Sequence, residues 1–315
     1  MTPAFWHDLP EPGAIADLSD HVRLSLTGPD AVRYLNGQVT NDVRKLHPGH
    51  VLPACITNHK GKLEAYVHIT TDPAGALLIS APGDLRDFLP LRLGKYLIAD
   101  DCVLDDLTES TALVHLIAPL EKLTPLLIDH EIPAAHARFG LPGYDLWMTP
   151  ERLPFWLSQF PLLSPADQST LEVLHAIPAW GHELTPDLLP PEAGLDATAI
   201  DYHKGCYIGQ EVISRIRSVG RVNRRLAALV QIEGPSVERG FALRPGGDHA
   251  TPPSRAEIDA TTPCGRLTRT AIHPVTGQLH ALAFLHRNTP DGPLYSGPED
   301  SPASAILLVR KSLDD

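Results

Sequence analysis

Apolar and polar positions alternate with period two in "HVRLSLTG", where Val22, Leu24 and Leu26 fall to one side, and this predicts a strand. Gly28-Pro29-Asp30 then opens a short helix: proline suits a first turn and aspartate suits the positive end of the helix dipole. "TNDVRKLHPG" reads as a second helical start at Thr40, stopped by Pro48-Gly49. Two further strands, "VLPACIT" and "KLEAYVHI", meet at Asn58-His59-Lys60-Gly61, the pattern of a hairpin. In the second of them Leu63, Ala65, Val67 and Ile69 point one way, and Lys62, Glu64, Tyr66 and His68 the other. A strand "ALLIS", a helix from Asp84 to Leu97, strands "CVLDDLT" and "ALVHLIA" and a helix "PLEKLTPLLIDH" follow. Hairpins mixed with helices, without strict alternation, favour an α+β fold over a doubly wound parallel sheet.

"FGLPGYDLWM" reads as a turn and a strand, and "TPERLPFWLSQF" and "SPADQSTLEVLHAI" as helices, the second opened by Ser164 and Asp167. Residues 178–194 form a proline-rich loop, and helix returns near Ile208, where Ile208, Val212 and Ile216 share a face. After Arg225 the runs "LAALVQI", "RLTRTAIH" and "LHALAFLH" are short, strand-like and separated by Gly/Pro-rich pieces, the texture of a small β-barrel. The expected division is an α+β region over residues 1–225 and a barrel domain over 226–315.

Composition narrows the function. With 26 Lys+Arg against 38 Asp+Glu the net charge is -12, so nucleic acid and anionic membrane are repelled at long range and general binding to either is not expected. The start "MTPAFWHDLPEPGA" lacks the basic and apolar regions of a secretory signal, and no apolar run approaches membrane-spanning length. Cys55, Cys102, Cys206 and Cys264 are far apart and form no metal-ligand spacing, so no metal and a reducing, cytoplasmic setting are expected. The 16 histidines form no H-x-H or H-x-x-x-H pair and read as mostly surface residues.

One stretch breaks the acidic texture. In "DYHKGCYIGQEVISRIRSVGRVNRRL" the basic residues Lys204, Arg215, Arg217, Arg221, Arg224 and Arg225 face Glu211 as the single acid after Lys204. Gly205 and Gly209 flank Cys206 and permit positive φ, placing the thiol on a bend that enters a helix. The helix N-terminus and Lys204 would both favour thiolate there; a small hydrophobe filling a corner is the alternative. Gln210 and Glu211 either cap the helix or meet a ligand. The arginines either hold a carboxylate or phosphate, with Arg221 favoured because it follows Gly220, or form a solvated face. A papain-like nucleophile is set aside, because His203 shares the bend and no base with an orienting partner is marked.

"KGCYIGQE" resembles the signature of the YgfZ-type folate-binding proteins, relatives of a mitochondrial iron–sulfur assembly factor and of the glycine-cleavage T-protein, an aminomethyltransferase. "YLNGQVTNDVRKLHPG", "HKGKLEAYVHI", "GYDLWM", "LPPEAGL", "GRVNRRLAAL" and "CGRLTRTAIHPVTGQLHALAFLHR" resemble further family segments, in family order. The resemblance implies a three-lobed ring with tetrahydrofolate in its central hole, the cysteine loop facing it and a C-terminal barrel. It also implies a folate-linked part in maturing or repairing [4Fe–4S] proteins, tRNA-modifying enzymes included, with iron–sulfur client or assembly proteins as partners. Lys204, Gly205, Cys206, Tyr207, Gly209, Gln210 and Glu211 carry over position by position, and Arg221 falls where the T-protein has an arginine associated with folate.

The chain departs from the T-protein pattern twice. Where that protein has an Asp pair supplying its catalytic carboxylate, this chain has Glu64 and Ala65, so aminomethyl transfer is not expected. Where it has a Glu that grips the pterin, this chain has Leu174, which offers an aminopyrimidine edge no acceptor. A folate would then need another acid, Glu64 or Glu183. The leading expectation is an accessory factor that binds a reduced folate or similar anion beside the Cys206 thiol. A one-carbon transferase acting through Glu64 and a scaffold with a structural thiol are the alternatives.

Overall fold

The computed structural model describes residues 13–220, 222–234, 236–245, 261–296 and 306–311. They divide between two compact units. One holds the described residues up to Pro165 with Pro186–Pro190 and Leu195–Arg215; the other holds Ala166–Thr185, Pro191–Gly194 and the described residues from Ile216 onward.

The first unit runs β1 (Ala14–Asp17), β2 (Val22–Thr27), α1 (Ala31–Gln38), β3 (Leu52–Thr57), β4 (Leu63–Thr71), β5 (Leu77–Ala81), α2 (Leu89–Gly94), β6 (Val103–Asp106), β7 (Ala112–Ile117), α3 (Leu120–Leu123), β8 (Ala134–His136), β9 (Gly143–Met148) and α4 (Leu153–Gln159). Its strands form two sheets, ordered β3-β4-β5-β2-β6 and β1-β7-β9-β8. Every strand pair in them is antiparallel. The expected hairpin is β3 on β4, with Cys55 opposite Tyr66. Leu63, Ala65, Val67 and Ile69 are all fully buried, as the alternation requires.

Three expected helices are shorter or absent, each for a local reason. At Thr40 the chain stays extended, because its hydroxyl donates to Ala199 O (2.6 Å) and accepts from Cys55 N (2.9 Å); only one 3₁₀ turn, Val43–Lys45, follows. The Asp84–Leu97 stretch gives a 3₁₀ turn and then α2, whose start is fixed by Pro90 in its first turn. Pro125 likewise ends α3 after Leu123 and leaves a 3₁₀ turn at Thr124–Leu126.

The polar face of β2 is not solvated. Arg23 is 2% exposed, and its guanidinium donates to the carbonyls of His21 (2.8 Å) and Thr111 (2.9 Å). Four of the histidines also depart from the surface reading. His68 and His115 are buried, and His21 and His136 are half-buried. All four surround Arg138 and Asp145: His115 Nδ1 lies 2.7 Å from Asp145 Oδ1, Arg138 Nη2 2.5 Å from Asp145 Oδ2, and Arg138 Nη1 3.1 Å from His68 Nδ1.

The second unit begins with α5 (Pro165–Leu174), and α6 (Gln210–Val219) enters it at Ile216. Six strands then close a barrel in the order β10-β13-β12-β11-β14-β15. They are β10 (Arg224–Glu233), β11 (Ala242–Pro245), β12 (Gly265–Ile272), β13 (Leu279–His286), β14 (Leu294–Ser296) and β15 (Ile306–Lys311). β10 pairs with both β13 and β15, which closes the circle and leaves no edge. Leu229, Leu243, Leu267, Ala283 and Leu285 fill it. Among the described residues no helix is long and apolar enough to cross a membrane.

Candidate functional site

Cys206 sits in an irregular stretch fastened on both sides. Upstream, Asp201 N donates to Thr40 O (3.0 Å) and Lys45 Nζ lies 2.5 Å from Asp201 Oδ2. Downstream, Thr57 Oγ1 donates to Ile208 O (2.6 Å), tying the loop to the end of β3. Between these points Lys204 and Tyr207 turn inward and Gly205 and Cys206 turn outward. Tyr207 packs with Ile200 and Ile213, and its hydroxyl is enclosed without a hydrogen-bond partner. Burial holds that phenol above its ordinary pKa, so it stays neutral. Of the four cysteines, Cys55 and Cys264 are buried, Cys102 is intermediate and Cys206 is exposed.

The two glycines of the signature differ. Gly209 has φ +88°, and a Cβ there would stand 2.5 Å from Asn58 O and 3.1 Å from Gly61 Cα. This conformation also stops helix from starting at Ile208, so α6 starts at Gln210. Gly205 is not in the positive-φ region and has open space where a side chain would be. Gln210 is half-buried and aims its amide at Gly205 O (3.5 Å), and Glu211 is exposed in the first turn of α6. Arg221, the expected anion ligand, lies outside the described residues.

Lys204 does not reach toward the thiol as the charge pattern suggested. It is 6% exposed, and its ammonium donates to three backbone carbonyls near the end of α1. Glu64 is likewise engaged: Arg92 Nε lies 2.6 Å from its Oε2, and Arg92 also donates to Gln38 Oε1 (3.1 Å) and Thr57 O (3.2 Å). The other Glu64 oxygen takes no hydrogen bond from the described residues.

In the second unit Leu174 ends α5, and the acids near it belong to Arg269 of β12. Arg269 Nε and Nη2 meet Glu183 Oε1 (3.1 Å) and Oε2 (2.8 Å), and Oε2 also accepts from Ala179 N (3.1 Å). Glu172 pairs with the same guanidinium. Glu183 is 1% exposed, with both oxygens taken, so it does not supply the acceptor that Leu174 lacks. Among the described residues no group of three or more His, Cys, Asp or Glu is arranged to hold a metal ion.

No family model matches the chain. It is 28% identical over 281 residues to the mitochondrial iron–sulfur cluster assembly factor IBA57 homolog of Chaetomium globosum, covering 75% of this chain and 60% of that protein. It is 29% identical over 231 residues to the tRNA-modifying protein YgfZ of Pectobacterium atrosepticum (67% and 68% covered), and 24% over 249 residues to that of Colwellia psychrerythraea (72% and 74%). Its fold matches the crystal structure of glycine cleavage system aminomethyltransferase T from Bartonella henselae with a TM-score of 0.78 at 16% identity, covering 96% of this chain and 85% of that one. The chain is a relative of the YgfZ and IBA57 proteins.

It has the fold of the T-protein, and at that identity the likeness extends to fold alone. What this chain can do chemically rests on its own side chains. They present one exposed sulfur on an anchored loop, one partly free carboxylate at Glu64 and a buried lysine beneath the loop.

Proposed function

We propose that the chain is an accessory factor for the maturation or repair of [4Fe–4S] proteins, tRNA-modifying enzymes among them, and that it works through the Cys206 thiol. The observation that carries this reading is the exposure of Cys206 between residues that are themselves anchored inward. A cysteine kept only for packing is buried, as Cys55 and Cys264 are. The names borne by the relatives, an iron–sulfur cluster assembly factor and a tRNA-modifying protein, support the same direction.

A reduced folate is the ligand this reading takes from the T-protein fold. Glu64, with one oxygen on Arg92 and the other available, supports it; Leu174 and the enclosed Glu183 do not. One-carbon transfer is disfavoured, since a carboxylate held by Arg92 is poorly placed to manage a proton at a folate amine.

The test is genetic. Cells lacking the gene are expected to lose [4Fe–4S] enzyme activity under oxidative stress, and wild-type protein but not Cys206→Ser to restore it. Full restoration by Cys206→Ser would reduce the chain to a scaffold. Isothermal titration with tetrahydrofolate separately decides the ligand, with Glu64→Gln expected to weaken any binding.

A further inference from the structure

A strand at the edge of a sheet leaves a row of N–H and C=O groups that pair with another strand unless something covers them. The two sheets of the first unit end in β3, β6, β1 and β8, and the chain's own backbone covers three of these edges. Beside β3 run Val39, bridged to Ile56, and Thr40, whose N–H donates to Cys55 O (2.9 Å). Beside β1, Ile15 N donates to Pro161 O (3.0 Å) and Leu163 N to Ile15 O (2.8 Å). Beside β8, Ala135 N donates to Gly49 O (2.7 Å) and Val51 N to Ala135 O (3.1 Å). β6 alone has no second neighbour among the described residues. Leu107 N donates to Arg23 O (2.8 Å), which sets the phase of its ladder with β2. Val103 and Asp105 therefore face β2, and the N–H and C=O of Leu104 and Asp106 point off the sheet.

The surroundings of this edge are apolar and acidic. Ile98 and Leu91 are the most exposed large apolar side chains among the described residues, at 87% and 76%. Leu91 belongs to α2, which lies beside β6, and Ile98 to the stretch that leads on to β6. Val103, on the strand itself, is 56% exposed. Asp101, Asp105 and Asp106 are exposed with it. Arg33 and Arg86 are already held by Asp30, Asp100 and Glu109, and Lys95 lies over the ring of Tyr96. We infer that the β6 edge is a docking site for an extended segment of another protein in which lysine or arginine alternates with apolar residues. Such a segment adds a strand beyond β6: its backbone completes the ladder at Leu104 and Asp106, and its cations meet the aspartates. A second copy of this chain fits badly, because pairing edge to edge sets these aspartates against their own copies in a chain of net charge -12. No residue of the Cys206 loop takes part, so the site stands or falls apart from the thiol function proposed above.

A fluorescein-labelled peptide of alternating lysine and valine tests this on the full chain, with binding read by anisotropy and pairing by amide hydrogen exchange. In the chain alone the Leu104 and Asp106 amides should exchange fast, and saturating peptide should slow both by about tenfold or more. A peptide with glutamate in place of lysine should not bind. Neither should one that keeps the lysines but carries proline at alternate valines, because proline cannot donate to the ladder. Leu104→Pro removes an outward N–H while leaving the β2 ladder intact, and should weaken binding about fivefold, the worth of one hydrogen bond. Unchanged exchange at Leu104 and Asp106 in the bound chain overturns the inference. So does equal binding by the proline-interrupted peptide, which would reduce the effect to plain attraction between cations and an acidic chain. Amides that are already protected without peptide, and lose protection as a dimer is diluted, would assign the edge to a second copy and overturn it as well. The exchange and the interrupted peptide decide the matter even if Leu104→Pro fails to fold.

Discussion

Gly209 and Gly61 meet with no side chain between them: a Cβ on Gly209 would stand 3.1 Å from Gly61 Cα, and one on Gly61 would stand 3.1 Å from Val212 Cβ. The signature loop and the β3–β4 turn thus touch backbone to backbone, and this contact seats the downstream end of the Cys206 loop.

Gly209→Ala should therefore be costly and Gly205→Ala nearly silent. At Gly209 an alanine in left-handed backbone costs about 1–2 kcal/mol, and its Cβ must also displace the Asn58 carbonyl from 2.5 Å. At Gly205 neither strain nor crowding arises, and a change within about 0.5 kcal/mol is expected. Urea midpoints of the two variants check this; equal losses would show that the contact does not anchor the loop.

In the second unit the critical group is Arg269. Its removal as Arg269→Met leaves Glu183, whose side chain is 0% exposed, as an unpaired charge in the interior. A loss of about 3–5 kcal/mol is expected for such a break, read as a lower melting temperature. Adding Glu183→Leu should return part of it, because the stranded charge is then gone, although the Glu172 contact with Arg269 stays lost. A single variant costing under about 1 kcal/mol would mean that the pair is solvated and does not pin residues 166–185 to the barrel.

These two sites also mark where the sequence was legible. The strands β2 and β4 follow from local alternation, β10, β12 and β13 from short strand-like runs between Gly/Pro-rich pieces, and the bend at Cys206 from its flanking glycines, which left open whether the sulfur is exposed. β1 and β8 escaped because four and three residues carry no period. The misread residues are polar groups whose partners lie far along the chain. Lys204 finds carbonyls more than 160 positions away, and Glu183 finds Arg269 86 positions away. A signal existed for some of them. Counting alternation from Leu267 puts Arg269 at a buried position of β12, although a bulge between the two turns it to the face of Leu282, and His115 interrupts the otherwise apolar run of β7. A charged or titratable residue at a core position of a strand implies a buried partner, though not which one.

The histidine cluster of the first unit makes its stability acid-sensitive. Burial, with Arg138 adding to it, lowers His21 and His136 to about 3, and His68 and His115 are lowered by the same burial. An unfolded imidazole binds its proton near 6.5. Between pH 6.5 and 3 the unfolded chain therefore holds more protons than the folded one, so stability is fully present above about 6.5 and falls as pH drops. Asp145 acts in the same direction at lower pH. Burial pushes its carboxyl up, but Arg138 and His115 hold it well below the carboxylate range, so its contribution fades only as pH falls below about 4. Each histidine that must stay neutral adds roughly 1.4 kcal/mol per pH unit to the slope. The urea midpoint should accordingly be flat near pH 7 and fall steeply from about 6.5 to 5, a range above most carboxylate titrations. His136→Gln, which keeps an amide in place of the ring, should reduce that slope by about one proton. A midpoint that is level over this range, or a variant slope equal to wild type, would mean that the four rings accept protons in the folded chain as readily as in water.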